Sequence, residues 1–283
     1  MKINWIIQKY GKNTQEELID AAKKAGHFVY VATENDYYEF LKNSEYKEEN
    51  CAVVNGTIEL CKHIKLFTKV RNCFPIVYCT WSNYKCSNYY SYFGDYLFND
   101  NYALTPLKDL ARNKWTFFKM FGKKGEIFVR PDRSDKPFSG QMVDINQVDI
   151  LVKDNKDIEN ELVLVSEPKI INWEGRFIVT SEDKKEIIAS STYKYQDQIT
   201  EIPSVPKKAT KKCLEILSAI DYSPDDVFCM DLCEDNDENF YLLELTSFSS
   251  AGLYAANKEA IIKRVSEIAS VEDRTSKLYQ DDE

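Results

Sequence analysis

The stretch VFCMDLCEDNDENFYLLELTSF, residues 227–248, contains two apolar runs on either side of an acidic one. The runs Val227–Leu232 and Phe240–Leu245 have the length and composition of strands, and the intervening EDNDEN is typical of a solvated turn. This pattern predicts a β-hairpin. Each predicted strand contains one carboxylate, Asp231 and Glu244, and the hairpin can place the two side by side across the ladder.

Two neighbouring carboxylates repel each other, so a positive charge must compensate them. A candidate source is the predicted strand Glu126–Pro131, where Arg130 precedes the proline, together with Lys136 in the loop 132–140. An arginine fork and a lysine point charge can grip a phosphate, although an ordinary charged surface hairpin would look the same. Carboxylates beside such a grip describe a magnesium–nucleotide site. The acidic turn itself lacks the spacing of a calcium loop.

The rest of the C-terminal two-thirds mixes helix and strand patterns. A helix with Lys114 near its start is predicted for Asp109–Phe121, and an amphipathic helix for Pro206–Ile220. The charged tail from Ser266 to Glu283 is expected to fray. Further strands are predicted for Leu162–Val165, Ile170–Val179 and Ile187–Ser191.

Strands alternate with helices in the first third of the chain, which predicts a small parallel, Rossmann-like α/β sheet. The turn after the first strand, residues 10–13, carries neither a G-x-G-x-x-G nor a P-loop motif. A scaffold or substrate-contacting role is therefore expected here rather than cofactor binding. The length of 283 residues favours two domains, which we place at residues 1–108 and 109–283.

Residues 80–105 contain an unusual concentration of aromatic side chains, with seven tyrosines or phenylalanines between Tyr84 and Phe98. One interpretation is a platform for stacking nucleic-acid bases. The alternative is a long interdomain connection whose rings pack against both domains. The scarcity of Arg and Lys in the segment favours interior packing.

Composition and charge exclude several functional classes. The net charge of −9 argues against a protein that coats nucleic acid or an anionic membrane. No apolar run is long enough to span a bilayer, and the N-terminus does not resemble a secretory signal, so a soluble cytoplasmic protein is expected. The eight cysteines include no C-x-x-C pair and only two histidines accompany them, which argues against a zinc site and favours reduced thiols.

In this order and spacing the motifs resemble the ATP-grasp superfamily, and within it the R2K-type group in which an arginine replaces the usual lysine before proline. The motifs that carry the resemblance are NYALTP (101–106), FVRPDRSDKPFSG (128–140), SEPKIINWEGRFIV (166–179) and CMDLCEDNDENFYLLELTSFSSAGLY (229–254). The resemblance implies an α/β N-terminal Rossmann-like (pre-ATP-grasp) domain, followed by an α+β ATP-grasp domain of two subdomains.

The resemblance also implies a role for individual residues. Lys114, Arg130 and Lys136 would contact ATP phosphates, with Lys136 in a loop that closes over them, and Glu174 would lie near the ribose. Arg176 would stabilise the transferring phosphoryl group, so that Arg130, Lys136 and Arg176 are the expected catalytic residues. Glu167, Pro168, Lys169 and Ile170 would line the adenine pocket. Asp231, Glu244 and Thr246 would hold Mg²⁺.

The chain departs from the superfamily pattern at three places. Arg130 replaces a lysine, the loop 132–139 has no glycine before Gly140, and Thr246 stands where an asparagine metal ligand is usual. These departures keep an alternative open, namely an ATP-binding regulatory module with reduced catalysis.

The expected function is an ATP-dependent carboxylate–amine ligase that uses Mg²⁺, forms an acyl phosphate and releases ADP and phosphate. Amino acids or short peptides are the substrates that the resemblance implies. A phosphotransferase using the same ATP site is a further alternative. The histidines, His27 and His63, lie in the N-terminal part of the chain and are expected to be structural.

Overall fold

The structure, a computed structural model, describes residues 2–9, 14–32, 51–71, 75–181 and 185–280. Its first sheet, the N-terminal sheet, is parallel with the strand order β2-β1-β3-β4. The predicted turn 10–13 lies outside the described residues. The strands are β1 (Asn4–Gln8), β2 (Phe28–Ala32), β3 (Ala52–Asn55) and β4 (Pro75–Ile76).

Helices α1 (Thr14–Lys24) and α2 (Ile58–Arg71) alternate with these strands, as the apolar spacing predicts. The apolar face of α1, with Leu18 and Ala22, is buried against β1. At the start of β2 the His27 ring accepts a hydrogen bond from the backbone N–H of Ile3 at 3.4 Å, and burial lowers the pKa of this histidine. His27 therefore has a structural contact, in line with the expectation.

The tyrosine-rich segment forms a 3₁₀ turn and α3 (Cys86–Phe93) before it enters β5 (Tyr102–Pro106). Tyr84, Tyr89 and Tyr90 are each at most 2% exposed. They share a core with the antiparallel sheet that the C-terminal part of the chain forms. Rings buried in this way have no face available to nucleic-acid bases. These tyrosines therefore pack in the interior, and their packing against both predicted domains stays a prediction.

The middle sheet is antiparallel with the strand order β5-β8-β6-β7, and helices cover the face that carries Ile127 and Val129. The helix predicted for residues 109–121 is in fact two helices that meet at Asn113, whose φ of −111° leaves the helical region. The middle sheet and the helices that cover it comprise, besides β5, the elements α4 (Leu107–Arg112), α5 (Lys114–Phe121), β6 (Glu126–Pro131), β7 (Gln141–Asp144), α6 (Gln147–Asp154) and β8 (Leu162–Ser166).

The C-terminal sheet is antiparallel with the strand order β11-β10-β9-β12-β13, and it includes the predicted hairpin. One face packs against the apolar stripe of a helix that follows β11, as the periodicity predicts. Its elements are β9 (Trp173–Thr180), β10 (Glu186–Tyr195), β11 (Gln198–Ile202), α7 (Lys207–Ala219), β12 (Val227–Glu234) and β13 (Phe240–Ser247).

The chain then returns to the N-terminal sheet through α8 (Lys258–Gln280). Trp5 Nε1 donates a hydrogen bond to Ser266 Oγ at 3.1 Å, and Ile268 is fully buried. The expectation that the tail frays from Ser266 is therefore wrong for residues 266–270, because tertiary packing buries Ser266, Ile268, Ala269 and Ser270. Among the described helices, none is both long enough and apolar enough to cross a membrane.

Candidate functional site

The site is built on three adjacent strands of the C-terminal sheet. Asp231 on β12 is the register partner of Arg176 on β9 and of Glu244 on β13. The predicted pairing of the two carboxylates across the hairpin is thus confirmed. A β-bulge follows this pair, because Leu232 opposes Leu242 and Leu243 is the extra residue.

Arg176 and Asp231 form a buried bidentate ion pair. Arg176 Nε and Nη2 donate to the two oxygens of Asp231 at 2.8 and 2.7 Å, and the Asp231 side chain is 1% exposed. Burial raises the pKa of Asp231, while the paired guanidinium opposes that shift. For Arg176 burial acts to lower the pKa, and the attraction of Asp231 outweighs it, so that the pKa lies well above its ordinary value.

Glu244 is bound by two other cations, which come from the middle sheet. Arg130 Nη2 donates to Glu244 Oε2 at 2.9 Å, and Lys136 Nζ donates to Oε1 at 2.7 Å. Although burial alone would raise the pKa of Glu244, Lys136 and Arg130 hold that pKa well below its usual range. The structure therefore supplies the compensating charge that the sequence required.

Thr246 lies two residues beyond Glu244 on β13, and its hydroxyl is 3.5 Å from Glu244 Oε1. Asp231, Glu244 and Thr246 together offer carboxylate and hydroxyl oxygens, the donors that Mg²⁺ prefers. Within the described part of the chain no group of three or more His, Cys, Asp or Glu could hold a metal. The donor set therefore fits Mg²⁺ only as a site that nucleotide phosphates and water complete.

Arg130 reaches the site because side chains alternate along β6, so that Glu126, Phe128 and Arg130 share the face opposite the helix-covered core. Gly140 lies against this face. A Cβ added to Gly140 would come within 2.9 Å of Phe128 Cζ and 3.3 Å of Arg130 Cβ. The glycine thus lets the chain after Lys136 pass close over the strand.

The loop that carries Lys136 is braced on both sides. The Asp132 carboxylate accepts hydrogen bonds from the Ser87 N–H at 2.6 Å and from Ser87 Oγ at 2.9 Å. Asp135 accepts two from Arg133, at 2.9 and 2.7 Å, and one from Lys62 of α2 at 3.2 Å. Lys136 has a left-handed φ of 43°. The loop predicted to close over phosphates is therefore anchored to α2 and α3.

A cavity of about 590 Å³ lies between the middle and C-terminal sheets. The segment Glu167–Ile170, which joins β8 to β9, lines it, and the adenine contact of this segment stays a prediction. Glu126 of β6 and Tyr241 of β13 also line it, so both strands run from this cavity to Arg130 and Glu244. The remaining lining residues are Phe98, Asp100, Lys123, Lys124, Met142, Asp235, Asn236 and Asp237.

The acidic turn is more than a solvated connection. Asp235, Asn236 and Asp237 line the cavity, whereas the sequence pattern indicates only a turn. Lys169 also lines the cavity; its Nζ donates to Asp100 Oδ1 at 2.7 Å and lies 5.3 Å from the Phe98 ring centroid.

Glu174 and Lys114, two further predicted nucleotide contacts, have different surroundings. Glu174 is buried on β9, where it accepts a hydrogen bond from Tyr193 Oη at 2.7 Å and pairs with Lys194 at 3.0 Å. Lys114 begins α5 and pairs with Asp149 at 2.5 Å. No contact between Lys114 and the Arg130–Glu244 pair is found among the described residues, and its phosphate role stays a prediction.

Two aromatic residues that the sequence did not single out lie beside Arg176. The Tyr193 and Tyr254 rings stack with centroids 4.8 Å apart, and the Arg176 guanidinium carbon is 5.8 and 5.1 Å from them. Arg176 Nη1 also donates to the Gly252 carbonyl at 2.8 Å. Sequence spacing holds no signal for this cluster, because its members come from β9, β10 and the segment after β13.

Solved structures of other proteins share this arrangement of sheets. No protein-family model matches the chain, and no curated protein matches it. The solved structure of D-cycloserine synthetase DcsG is similar, with 11% identity over 94% of this chain and 99% of that one and a TM-score of 0.63.

Two further structures match at nearly full length. D-alanyl-alanine synthetase A from Vibrio cholerae O1 biovar eltor has 12% identity over 90% of this chain and 91% of that one, with a TM-score of 0.57. An ATP-grasp RimK domain protein from Sphaerobacter thermophilus has 12% identity over 92% and 98%, with a TM-score of 0.58. Identities this low establish architecture, and the chain has the ATP-grasp fold.

Proposed function

We propose that this protein is a cytoplasmic, ATP- and Mg²⁺-dependent carboxylate–amine ligase. The observation that carries the proposal is the pair of buried carboxylates, Asp231 and Glu244, surrounded by Arg130, Lys136 and Arg176. An R2K-type site is consistent with Arg130 before Pro131. The structurally similar proteins include synthetases of D-alanyl-alanine and D-cycloserine, which supports amino acids or short peptides as the substrate class.

In this proposal the adenine base occupies the cavity beside Glu167–Ile170, and the ribose lies near Glu174. The phosphates then extend along β6 towards Arg130 and Lys136. Lys114 joins them if its ammonium group leaves Asp149. We also propose that residues 1–108 act as a unit that contacts substrate, while residues 109–283 bind the nucleotide.

The charges of the site suit a polyphosphate. The recorded contacts join three cationic side chains to two carboxylates, which leaves one surplus positive charge before any ligand binds. Bound Mg²⁺ would add charge neutralisation at the phosphate oxygens, held by Asp231, Glu244 and Thr246. Arg130 and Lys136 would then be free to turn from Glu244 to phosphate oxygens.

The reaction has two displacements. A substrate carboxylate oxygen attacks the γ-phosphorus of ATP, the bond to the β–γ bridging oxygen breaks, and ADP leaves with that electron pair. An amine next attacks the carbon of the acyl phosphate, phosphate departs, and the amine loses a proton. Arg176 stabilises the transferring phosphoryl oxygens, and Arg130 and Lys136 position ATP. No step requires His27 or His63.

The test is release of phosphate and ADP from MgATP in the presence of pooled amino acids and small carboxylic acids. Release that needs a carboxylate and an amine together supports the ligase. Release that needs only a hydroxyl compound, with phosphate found on that compound, identifies a phosphotransferase. ATP binding without release from any pool leaves two possibilities, a substrate outside the pools or a regulatory module. The absence of ATP binding overturns the proposal.

A further inference from the structure

Arg176 has more partners than its ion pair with Asp231 accounts for. Besides the two hydrogen bonds to Asp231, it donates one to the Gly252 carbonyl at 2.8 Å and lies beside the stacked rings of Tyr193 and Tyr254. A cation beside an aromatic face is attracted to the ring without forming a hydrogen bond. The guanidinium is therefore held from two independent directions.

Tyr254 is held in place by contacts that do not involve Arg176. Its φ of 45° is left-handed, a conformation that is costly for an aromatic residue and needs support from its surroundings. The buried Lys258 ammonium donates to the carbonyl oxygens of Tyr254 and Ala256, the second at 2.8 Å. The Ala255 N–H donates to Ser191 Oγ at 3.2 Å. These contacts hold the backbone that carries the Tyr254 ring independently of the ion pair.

The contacts of Arg176 other than Asp231 matter because Asp231 has two expected partners, Arg176 and Mg²⁺. Each Asp231 oxygen accepts one hydrogen bond from Arg176, which leaves a second lone pair on each oxygen for a cation. A Mg²⁺ ion that shares this carboxylate would draw its negative charge away from Arg176 and weaken the ion pair at the moment when the position of Arg176 decides whether it can reach phosphoryl oxygens. The Gly252 carbonyl and the aromatic pair are then the contacts that remain.

We propose that Tyr254, stacked on Tyr193, is a positioning residue that keeps the Arg176 guanidinium in place when Asp231 shares its carboxylate with the metal. This inference rests on the proposed function and adds a device to it. The ring face carries the effect. No hydrogen bond of Tyr254 Oη to a described residue is found, so phenylalanine should replace tyrosine without loss.

The variants follow from the backbone. Tyr254→Asn removes the ring but tolerates a left-handed φ, so a loss in this variant does not report backbone strain. Tyr254→Phe is the matched control. We expect kcat of Tyr254→Asn to fall about tenfold with KM for ATP unchanged, while Tyr254→Phe stays within about twofold of wild type.

A double-mutant cycle shows whether Tyr254 acts through Arg176. In an Arg176→Lys background, Tyr254→Asn should lower kcat by less than about twofold, because the planar group that the ring holds is gone. An equal loss in both backgrounds, or an equal loss with phenylalanine, overturns the positioning role.

A second measurement does not depend on turnover. The Arg176 Nε–H resonance, assigned by comparison with Arg176→Lys, reports hydrogen exchange in the wild type and in both Tyr254 variants. Without Mg²⁺ the exchange should be equally slow in all three. With MgADP it should be about tenfold faster in Tyr254→Asn than in the other two.

The inference is overturned if the Arg176 Nε–H group exchanges equally fast in all three proteins with MgADP. It is also overturned if adding MgADP changes this exchange rate in none of them. A pronounced difference in exchange together with no phosphate release from any substrate pool upholds the positioning role. The exchange measurement needs no turnover, so failure of the positioning role and failure of the ligase proposal can be told apart.

Discussion

Asp231 and Glu244 lie directly opposite each other on β12 and β13, yet each carboxylate is bound by cations of different origin. Asp231 pairs with Arg176 of the same sheet, whereas Glu244 pairs with Arg130 and Lys136 of the middle sheet. The Glu244 contacts therefore also join the two sheets on either side of the cavity.

Glu244→Gln should lower phosphate release by about 1,000-fold, because it removes a metal ligand charge from the site. It should also lower the free energy of unfolding by about 3 kcal/mol, since Arg130 remains buried without a counter-charge. Urea unfolding measures the second effect. Glu238→Gln, on the exposed acidic turn, is the control and should change neither the phosphate release nor the free energy of unfolding. Normal turnover in Glu244→Gln would show that Glu244 is not a metal ligand.

The stability of the protein should depend on pH through Glu244. Its pKa in the folded protein lies well below the ordinary 4.5, so its contribution is fully present above that value and is lost as the pH falls through the folded pKa. Asp231 acts in the opposite sense because burial raises its pKa. Between pH 5 and pH 3, at about one-unit steps, the unfolding free energy of Glu244→Gln should fall less steeply than that of wild type. Equal slopes would contradict the assignment.

Gly140→Ala should disturb the Arg130 side of the site. The added methyl group would come within 2.9 Å of Phe128 Cζ and 3.3 Å of Arg130 Cβ, so the Phe128 ring must shift. We expect a loss of about 1–2 kcal/mol in unfolding free energy and a higher KM for ATP. Ser139→Ala, at the neighbouring exposed position, is the control. An unchanged KM would show that Arg130 keeps its place despite the methyl group.

Asp135→Asn should loosen the brace between α2 and the loop that carries Lys136. The substitution removes the charge that binds Lys62 and Arg133, both partly exposed, so stability should fall by no more than about 1 kcal/mol. The binding free energy of MgATP, measured by calorimetry, should change by more than the free energy of unfolding does. Glu161→Gln, whose carboxylate is 3.9 Å from Arg133, is the control and should leave the affinity unaltered.

The hairpin could be predicted because its signals are local. Apolar runs of strand length, a polar turn and one carboxylate in each run lead to the Asp231–Glu244 register without knowledge of any distant residue. The same holds for the parallel alternation at the N-terminus. Local signals were weaker where a helix breaks at Asn113, because nothing in the residues 109–121 interrupts the helical pattern.

The sequence by itself determined the hairpin, the parallel alternation at the N-terminus and the residue types of the site, since periodicity and charge are properties of neighbouring residues. Only the tertiary structure decided which cation binds which carboxylate, that Tyr254 lies beside Arg176, and that Ser266 is buried beneath Trp5. The partners in these contacts are 114, 55, 78 and 261 residues apart, respectively, for Arg130–Glu244, Arg176–Asp231, Arg176–Tyr254 and Trp5–Ser266. Contacts at such separations arise from how sheets and helices pack, and packing is a property of the whole chain.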